Sequence, residues 1–230
     1  IQAAAQFISG SEVVAGDVHI KARRFVIATG SSPLVPPIPG LDQVSWFTNE
    51  TIFDNTTLPD HLIIIGGGPI GMELAQAHRN LGARVSLIEM FTALGADDPE
   101  LAQVVTDCLR RDGIDLHENT RVTGVEAAGD GVAVLTECNG EKLRIEGSHL
   151  LLAAGRKPNI DGLGLEAAGV KLGPKGIEVD QRLRTANRRI YAIGDVTGGL
   201  QFTHMAGFEA GIVLRSALFR LPAKGLTDAA

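Results

Sequence analysis

The 230 residues of the chain suffice for one large domain or two smaller ones, and a hydrophobic content of 44% with 21% charged residues is typical of a globular protein. A net charge of −6 provides no basic surface, so we expect no nucleic-acid partner. No apolar run approaches the ~20 residues of a membrane span, and the two cysteines fit no metal-binding or Cys-x-x-Cys pattern, which favours a cytoplasmic setting.

The first 57 residues predict short strands followed by an extended connector. Three strand-like runs are separated by glycine-containing turns: residues 6–8, 12–14 and 18–22. A further strand over residues 24–27 ends at Ala28-Thr29-Gly30-Ser31, and four prolines then keep the chain extended. Because the sequence starts at Ile1, without Met and inside this strand-like pattern, we expect the chain to be a fragment.

Residues 62–89 predict a strand, a helix and a second strand joined by a glycine-rich turn. The apolar run 62–65 is typical of a strand buried on both faces. The turn reads Gly66-Gly67-Gly68-Pro69-Ile70-Gly71, an amphipathic helix follows over 72–81, and the strand 85–88 ends at Glu89. This order is the signature of a dinucleotide-binding βαβ unit. The alternative is a glycine-rich turn in an ordinary α/β domain.

The residue types in this turn suit a bound pyrophosphate. Gly66 permits a tight turn, Gly68 lets the backbone approach the phosphates, and Gly71 lets the helix pack closely on the strand. The helix N-terminus attracts the phosphates, and Pro69 fits its first turn. Glu89 either accepts hydrogen bonds from the adenosine ribose or is a solvated strand-end acid. Since no Arg or Lys follows in residues 90–92, we predict NAD(H) rather than NADP(H).

The region after Glu89 predicts a helix and then a series of strands. Asp98 as N-cap and Pro99 begin the helix. One face of it is expected to hold Leu101, Val104, Val105, Cys108 and Leu109, which makes Cys108 a core residue. Strands are predicted over residues 114–117, 122–127, 132–138, 142–146, 150–154, 169–172 and 177–179.

The last predicted strand ends at an acidic turn. It covers residues 189–193 and leads to Gly194-Asp195, and a helix is expected over 204–219. Ligands of open α/β folds bind beyond the carboxyl ends of strands. Asp195 is therefore either an acceptor for hydroxyls of a second ligand or an ordinary turn aspartate.

These motifs together resemble the pyridine nucleotide–disulfide oxidoreductases, a family of flavoproteins that includes dihydrolipoamide dehydrogenase and mercuric reductase. The resemblance lies in Ala28-Thr29-Gly30-Ser31, the run from Gly66 to Glu73, Glu89, the run 154–159 and the run 193–196. It implies an α/β fold of FAD/NAD(P)-binding Rossmann-like domains with β-meanders. An NAD-binding domain of residues 58–156 would be inserted into an FAD-binding domain formed by residues 1–57 and 157–230.

The resemblance also implies cofactor-binding residues, but no catalytic residue and no metal ligand in this chain. The residues implied near FAD are Thr29, Gly30, Ser31, Gly194, Asp195, Gln201, Phe202, Thr203 and His204. On the NAD side it adds Val122 near the adenine, Gly155 near the nicotinamide, and Glu73 toward the nicotinamide and flavin. Glu73 has the alternative role of an ordinary acid in the first helical turn.

By this resemblance the parent protein is a homodimeric FAD-dependent oxidoreductase that passes hydride from NADH to flavin and on to a disulfide or metal-ion substrate. The family's first GxGxxG, its Cys-x4-Cys redox pair and its C-terminal dimerisation domain have no counterpart in these residues. We therefore expect this chain alone to be inactive and nearly colourless. The alternatives are a transhydrogenase or NADH oxidase without a redox disulfide, and a non-catalytic NADH-binding module.

Overall fold

The computed structural model describes residues 1–221, which form two compact units. The first unit contains Ile1–Ser32 and the chain from Lys157 onward, and the second contains Pro33–Arg156. Residues 33–57, which we expected to belong with the FAD-binding part, thus fold with the second unit, because Phe47–Thr48 pairs in its sheet and Ile52 packs in its core. Residues 222–230 of the expected second FAD-binding part lie outside the described residues.

The elements are numbered along the described chain. The strands are β1 (Ala5–Ser9), β2 (Glu12–Ala15), β3 (Val18–Lys21), β4 (Phe25–Ile27), β5 (Ser31–Pro33), β6 (Phe47–Thr48), β7 (His61–Ile65), β8 (Arg84–Ile88), β9 (Asp115–His117), β10 (Arg121–Ala128), β11 (Gly131–Cys138), β12 (Glu141–Gly147), β13 (His149–Leu152), β14 (Arg156–Pro158) and β15 (Ile190–Ala192). The helices are α1 (Pro69–Asn80), α2 (Pro99–Arg111) and α3 (Thr203–Ala217). Short 3₁₀ turns cover Leu41–Gln43, Ile52–Asp54 and Gly194–Thr197. None of the helices in residues 1–221 is long and apolar enough to cross a bilayer.

The second unit is built on a five-stranded parallel sheet in the order β6-β13-β7-β8-β9. All five residues of β7 are buried, as expected for a strand covered on both faces. Leu62 and Ile64 pack in the core that also contains Met72 of α1, whereas Ile63 and Ile65 pack in a second core with residues of the β10–β12 meander. The chain proceeds from β7 to β8 and β9 on one side, while β13 lies on the other. The carboxyl end of β7 is therefore a topological switch point, where α/β folds bind ligands.

Helix α2 begins where the sequence predicts but presents a different face. The Asp98 side chain accepts hydrogen bonds from the N–H groups of Glu100 and Leu101, which confirms the predicted N-cap. Of the predicted buried face, Leu109 is buried, but the prediction is wrong for Leu101, Val104 and Val105, which are exposed. Cys108, predicted as a core residue, is only half-buried. The buried residues are Ala102, Thr106 and Leu109.

The first unit combines an antiparallel meander with a short parallel pair. Strands β1, β2 and β3 form the meander predicted from the sequence, and β4 pairs in parallel with β15. Its core includes Phe7, Ile27, Ile190 and Val196. The strands predicted over 169–172 and 177–179 are reduced to one antiparallel bridge between Leu172 and Ile177.

Buried His61 makes the stability of the second unit depend on pH. Its Nε2 lies 2.9 Å from Ser86 Oγ, and burial, followed by the charge of Arg84, lowers the pKa of His61, although Asp115 opposes the shift. The unfolded chain then binds a proton at this residue at a higher pH than the folded chain does. Stability should therefore fall as pH drops below about 6.5, the value for an unperturbed histidine.

We expect His61→Gln to reduce this loss of stability at acidic pH. The glutamine amide places a nitrogen near the same position but does not titrate. Urea unfolding at neutral and mildly acidic pH measures the loss. His19 is exposed, so His19→Gln should retain the wild-type pH dependence. An identical pH dependence for wild type and His61→Gln would show that His61 does not carry the effect.

Candidate functional site

The glycine-rich turn after β7 packs against neighbouring backbone at two positions. Gly66 has φ +115°, and a Cβ there would stand 2.3 Å from the carbonyl oxygen of Ala153, which follows β13. A Cβ at Gly71 would stand 1.9 Å from the carbonyl oxygen of Gly66. The first position thus needs glycine for both conformation and space, and the second needs it for the close approach of α1 to the turn. Both agree with the roles predicted from the sequence.

Gly68 is different, because the fold itself does not require a glycine there. Its φ of −77° and ψ of 179° are ordinary extended values that any residue adopts. Apart from its two chain neighbours, no described residue has a heavy atom within 4 Å of a Cβ built at this position. A side chain would fill open space in front of the N-terminus of α1. The glycine leaves the backbone accessible to a ligand, and the cradle fits a pyrophosphate.

The N-terminus of α1 is open to such a ligand. The first intrahelical bond runs from Met72 N–H to the Gly68 carbonyl, so the N–H groups of Ile70 and Gly71 precede the helical hydrogen-bond ladder. The N-cap residue is Gly68, which has no side chain to satisfy them, and Pro69 occupies the first turn. The N-terminus of helix α2, by contrast, is capped by the side chain of Asp98. These free donors and the helix dipole favour an anion at α1.

Glu89 follows β8 and is bound to the turn itself. Its Oε2 accepts from Gly67 N–H at 2.6 Å and its Oε1 accepts from Phe91 N–H at 2.9 Å. A Cβ at Gly67 would stand 2.8 Å from Glu89 Cβ, so this glycine makes room for the acid. A carboxylate has about four acceptor positions, and two therefore stay open for ribose hydroxyls. The interpretation of Glu89 as a freely solvated acid does not fit these contacts.

The other residues predicted for the NAD side occupy varied positions in the second unit. Gly155 follows β13 with φ +116° and accepts a hydrogen bond from Leu34 N–H through its carbonyl. Val122 is half-buried on β10, beside an irregularity in the pairing with β11. Glu73 is exposed on α1. Gly155 thus lies at the same end of the sheet as the glycine-rich turn, because β13, which it follows, is parallel to β7.

Of the residues predicted for the flavin side, those at 29–31 and 194–195 follow the carboxyl ends of the paired strands β4 and β15 in the first unit. Ser31 Oγ donates to Asp195 Oδ2 at 2.6 Å. Thr29 Oγ1 donates to the Asn159 carbonyl, while Asn159 donates through its side chain to the Thr29 carbonyl and through its N–H to the Gly30 carbonyl. The structure therefore connects the motifs at 28–31, 154–159 and 193–196, which are far apart in sequence.

Sequence reasoning missed Glu209 of α3. Its Oε2 accepts a hydrogen bond from Gly194 N–H at 2.6 Å. Burial raises the pKa of the Glu209 carboxyl, the bond from Gly194 opposes this shift, and the charge of Asp195 adds to it. The available signal was an acid inside an otherwise apolar helical stretch, which alone does not identify its partner.

The segment before and at the start of α3 was also predicted to lie along FAD. Phe202 is the N-cap residue of α3, and its ring stacks on His204 with a centroid distance of 5.4 Å. Thr203 and His204 are exposed in the first turn, and Gln201 is half-buried. Phe202 accepts backbone bonds from Met205 and Ala206 through its carbonyl and so begins the helix.

Comparison with known proteins places the whole described arrangement in one family. The family described as "Pyridine nucleotide-disulphide oxidoreductase" matches residues 1–210. The mercuric reductase of Bacillus cereus is 42% identical over 220 residues, which cover 95% of this chain and 35% of the relative. The dihydrolipoyl dehydrogenase of Geobacillus stearothermophilus is 36% identical over 195 residues, covering 81% of this chain and 40% of the relative.

A solved structure shows the same fold. The HOCl-induced flavoprotein disulfide reductase RclA from Escherichia coli matches with a TM-score of 0.88 and 32% identity. The match covers 97% of this chain and 52% of that protein. The chain thus spans less than half of the two relatives above and about half of this structure.

Proposed function

The chain belongs to the pyridine nucleotide-disulphide oxidoreductase family, and we propose that its second unit binds NADH while its first unit contributes to an FAD site. Gly68 is the observation that carries the nucleotide assignment. Neither its backbone conformation nor its surroundings require a glycine, so the open space before α1 is best explained by a bound phosphate group. The family and the TM-score support the same assignment.

Different residues of the second unit bind different parts of the nucleotide. The uncapped N–H groups of α1 hold the pyrophosphate, and Gly68 keeps the approach free of side chains. Glu89 keeps the turn in place through Gly67 and accepts bonds from the adenosine ribose. Val122 lies near the adenine, and Gly155 and Glu73 lie toward the nicotinamide. In the first unit, Asp195, oriented by Ser31, accepts bonds from the hydroxyls of the flavin chain.

We propose that the parent protein is an FAD-dependent oxidoreductase, homodimeric, with a disulfide or a metal ion as its final substrate. When bound, NADH and flavin supply the hydride transfer, and the protein supplies binding and orientation. The names of the relatives, mercuric reductase, dihydrolipoyl dehydrogenase and disulfide reductase, favour this over the transhydrogenase and oxidase alternatives. A disulfide turned over by this chain alone would contradict our expectation that it is inactive by itself.

We expect the chain to bind NADH in roughly the micromolar range and NADPH more weakly. The acid at Glu89 repels a 2′-phosphate, and no Arg or Lys in residues 90–92 offsets that charge. Isothermal titration with each nucleotide measures the preference. Glu89→Gln removes the negative charge and should narrow the difference between the two affinities. Equal affinities in the wild-type chain would contradict the role of Glu89, and no binding of either nucleotide would contradict the proposed function.

A further inference from the structure

Helix α3 touches the turn that carries Asp195 at two points. Gly194 has φ +71°, and a Cβ there would lie 3.2 Å from the Cβ of Ala206. One helical turn further on, the Glu209 carboxylate accepts the hydrogen bond from Gly194 N–H. The helix therefore holds the residue directly before Asp195 both by packing and by a charge-assisted hydrogen bond, which is stronger than a bond between neutral groups.

Other hydrogen bonds also hold the turn, and one of them comes from outside it, from Ile177 N–H to the Val196 carbonyl. Thr197 Oγ1 donates to the Gly194 carbonyl, and Gly198 N–H donates to the Asp195 carbonyl. Ser31 Oγ donates to the Asp195 carboxylate. From α3, it is the Glu209 side chain that binds this turn, through Gly194 N–H. Its position also brings a second carboxyl group close to Asp195, at an electrostatic cost that a neutral residue would not carry.

We infer that Glu209 is a positioning residue for flavin binding: by holding Gly194 N–H, its carboxylate orients Asp195 toward the flavin hydroxyls. This inference rests on the proposed function, because it takes flavin as the ligand of Asp195. Without an acceptor at position 209, Gly194 N–H loses this partner, and the peptide between Gly194 and Asp195 is held less firmly. Part of the free energy gained when FAD binds Asp195 is then lost, because binding must also order this residue.

Two substitutions separate the hydrogen bond from the packing of the side chain. Glu209→Gln keeps an oxygen that accepts from Gly194 N–H, whereas Glu209→Ala removes it. We expect FAD affinity, measured by quenching of flavin fluorescence, to fall at least ~fivefold in Glu209→Ala and to stay within ~twofold of wild type in Glu209→Gln. Glu166 is exposed in the same unit, so Glu166→Ala serves as the matched control and should bind like wild type.

The amide resonance of Gly194 reports on the same contact without any ligand. In the wild-type chain its ¹H and ¹⁵N shifts should follow the titration of Glu209 as pH is lowered, and this dependence should be smaller in both variants, in which Asp195 is the carboxylate that stays beside the amide. Glu209→Gln should retain the hydrogen-bonded proton shift, and Glu209→Ala should lose it. Both chains are first checked for wild-type circular dichroism.

The outcomes distinguish a failure of this inference from a failure of the proposed flavin-binding function. An unchanged Gly194 resonance in Glu209→Ala overturns the inference, and so does unchanged FAD affinity in that variant. Because the chain is expected to purify nearly colourless, FAD is added in large excess; a wild-type chain that quenches no flavin fluorescence even at saturating FAD contradicts the flavin assignment of Asp195, and with it the ligand named here. The amide titration would in that case still show whether Glu209 holds the turn.

Discussion

Gly68→Val should abolish NADH binding and leave the fold intact. A valine side chain would occupy the open space before α1, where no described atom lies within 4 Å of a Cβ, and would exclude the pyrophosphate from the N–H groups of the helix. We expect the dissociation constant for NADH to rise at least ~100-fold in isothermal titration. The unfolding midpoint should change little, since the backbone at this position is unstrained.

The control for this prediction is a glycine in a helix of the other unit. Gly211 lies in α3, and apart from its chain neighbours and the backbone of its own helix no described atom lies within 4 Å of an added Cβ, so Gly211→Ala should bind NADH like wild type. NADH affinity within a few-fold of wild type in Gly68→Val would mean that the phosphates do not approach this turn. A loss of both binding and folding would show that the open space has a structural role that the geometry does not reveal.

Gly71→Ala should destabilise the second unit itself, and not only weaken its binding of the nucleotide. The added Cβ would stand 1.9 Å from the Gly66 carbonyl oxygen and 3.1 Å from the carbon of that carbonyl. Both are backbone atoms, so relief requires α1 to move away from β7 and to open the core that contains Leu62 and Met72. We expect a loss of about 3 kcal/mol in the free energy of unfolding, measured with urea.

The matched control is the same substitution in the same turn. Gly68→Ala adds the same methyl group where no described atom opposes it, and it should keep or slightly raise stability by restricting the unfolded chain, by about 0.4–1 kcal/mol. Equal stability of Gly71→Ala and Gly68→Ala would contradict the close approach of the helix to the turn.

The glycine turn and its βαβ unit could be predicted from the sequence because their causes are local. An apolar run, glycines at fixed spacing and an acid after the second strand each follow from steric or electrostatic requirements within about 30 residues. The structure agrees at Gly66, Gly71 and the parallel pairing of β7 with β8. The bonds from Gly67 and Phe91 to Glu89 could not be predicted, since they depend on the conformation of a single side chain.

Other features depend on how distant elements dock, and the sequence pattern misleads there. Most of the predicted face of α2 was wrong because the smaller Ala102 and Thr106 are buried beside Leu109, whereas the larger Leu101 and Val104 are exposed. A prediction from hydrophobic periodicity favours large apolar side chains and so does not identify a buried face made of small ones. Glu209 was missed for a related reason: its partner, Gly194, is reached only when α3 packs on the turn.

The central claim is that the open turn between β7 and α1 holds the pyrophosphate of NADH, and a crystal structure of the chain soaked with NADH tests it most directly. The account predicts phosphate oxygens within hydrogen-bond distance of the first N–H groups of α1, over Gly68, with an adenosine ribose hydroxyl on the Glu89 carboxylate. A nucleotide bound elsewhere, or one whose phosphates avoid Gly68, would contradict it.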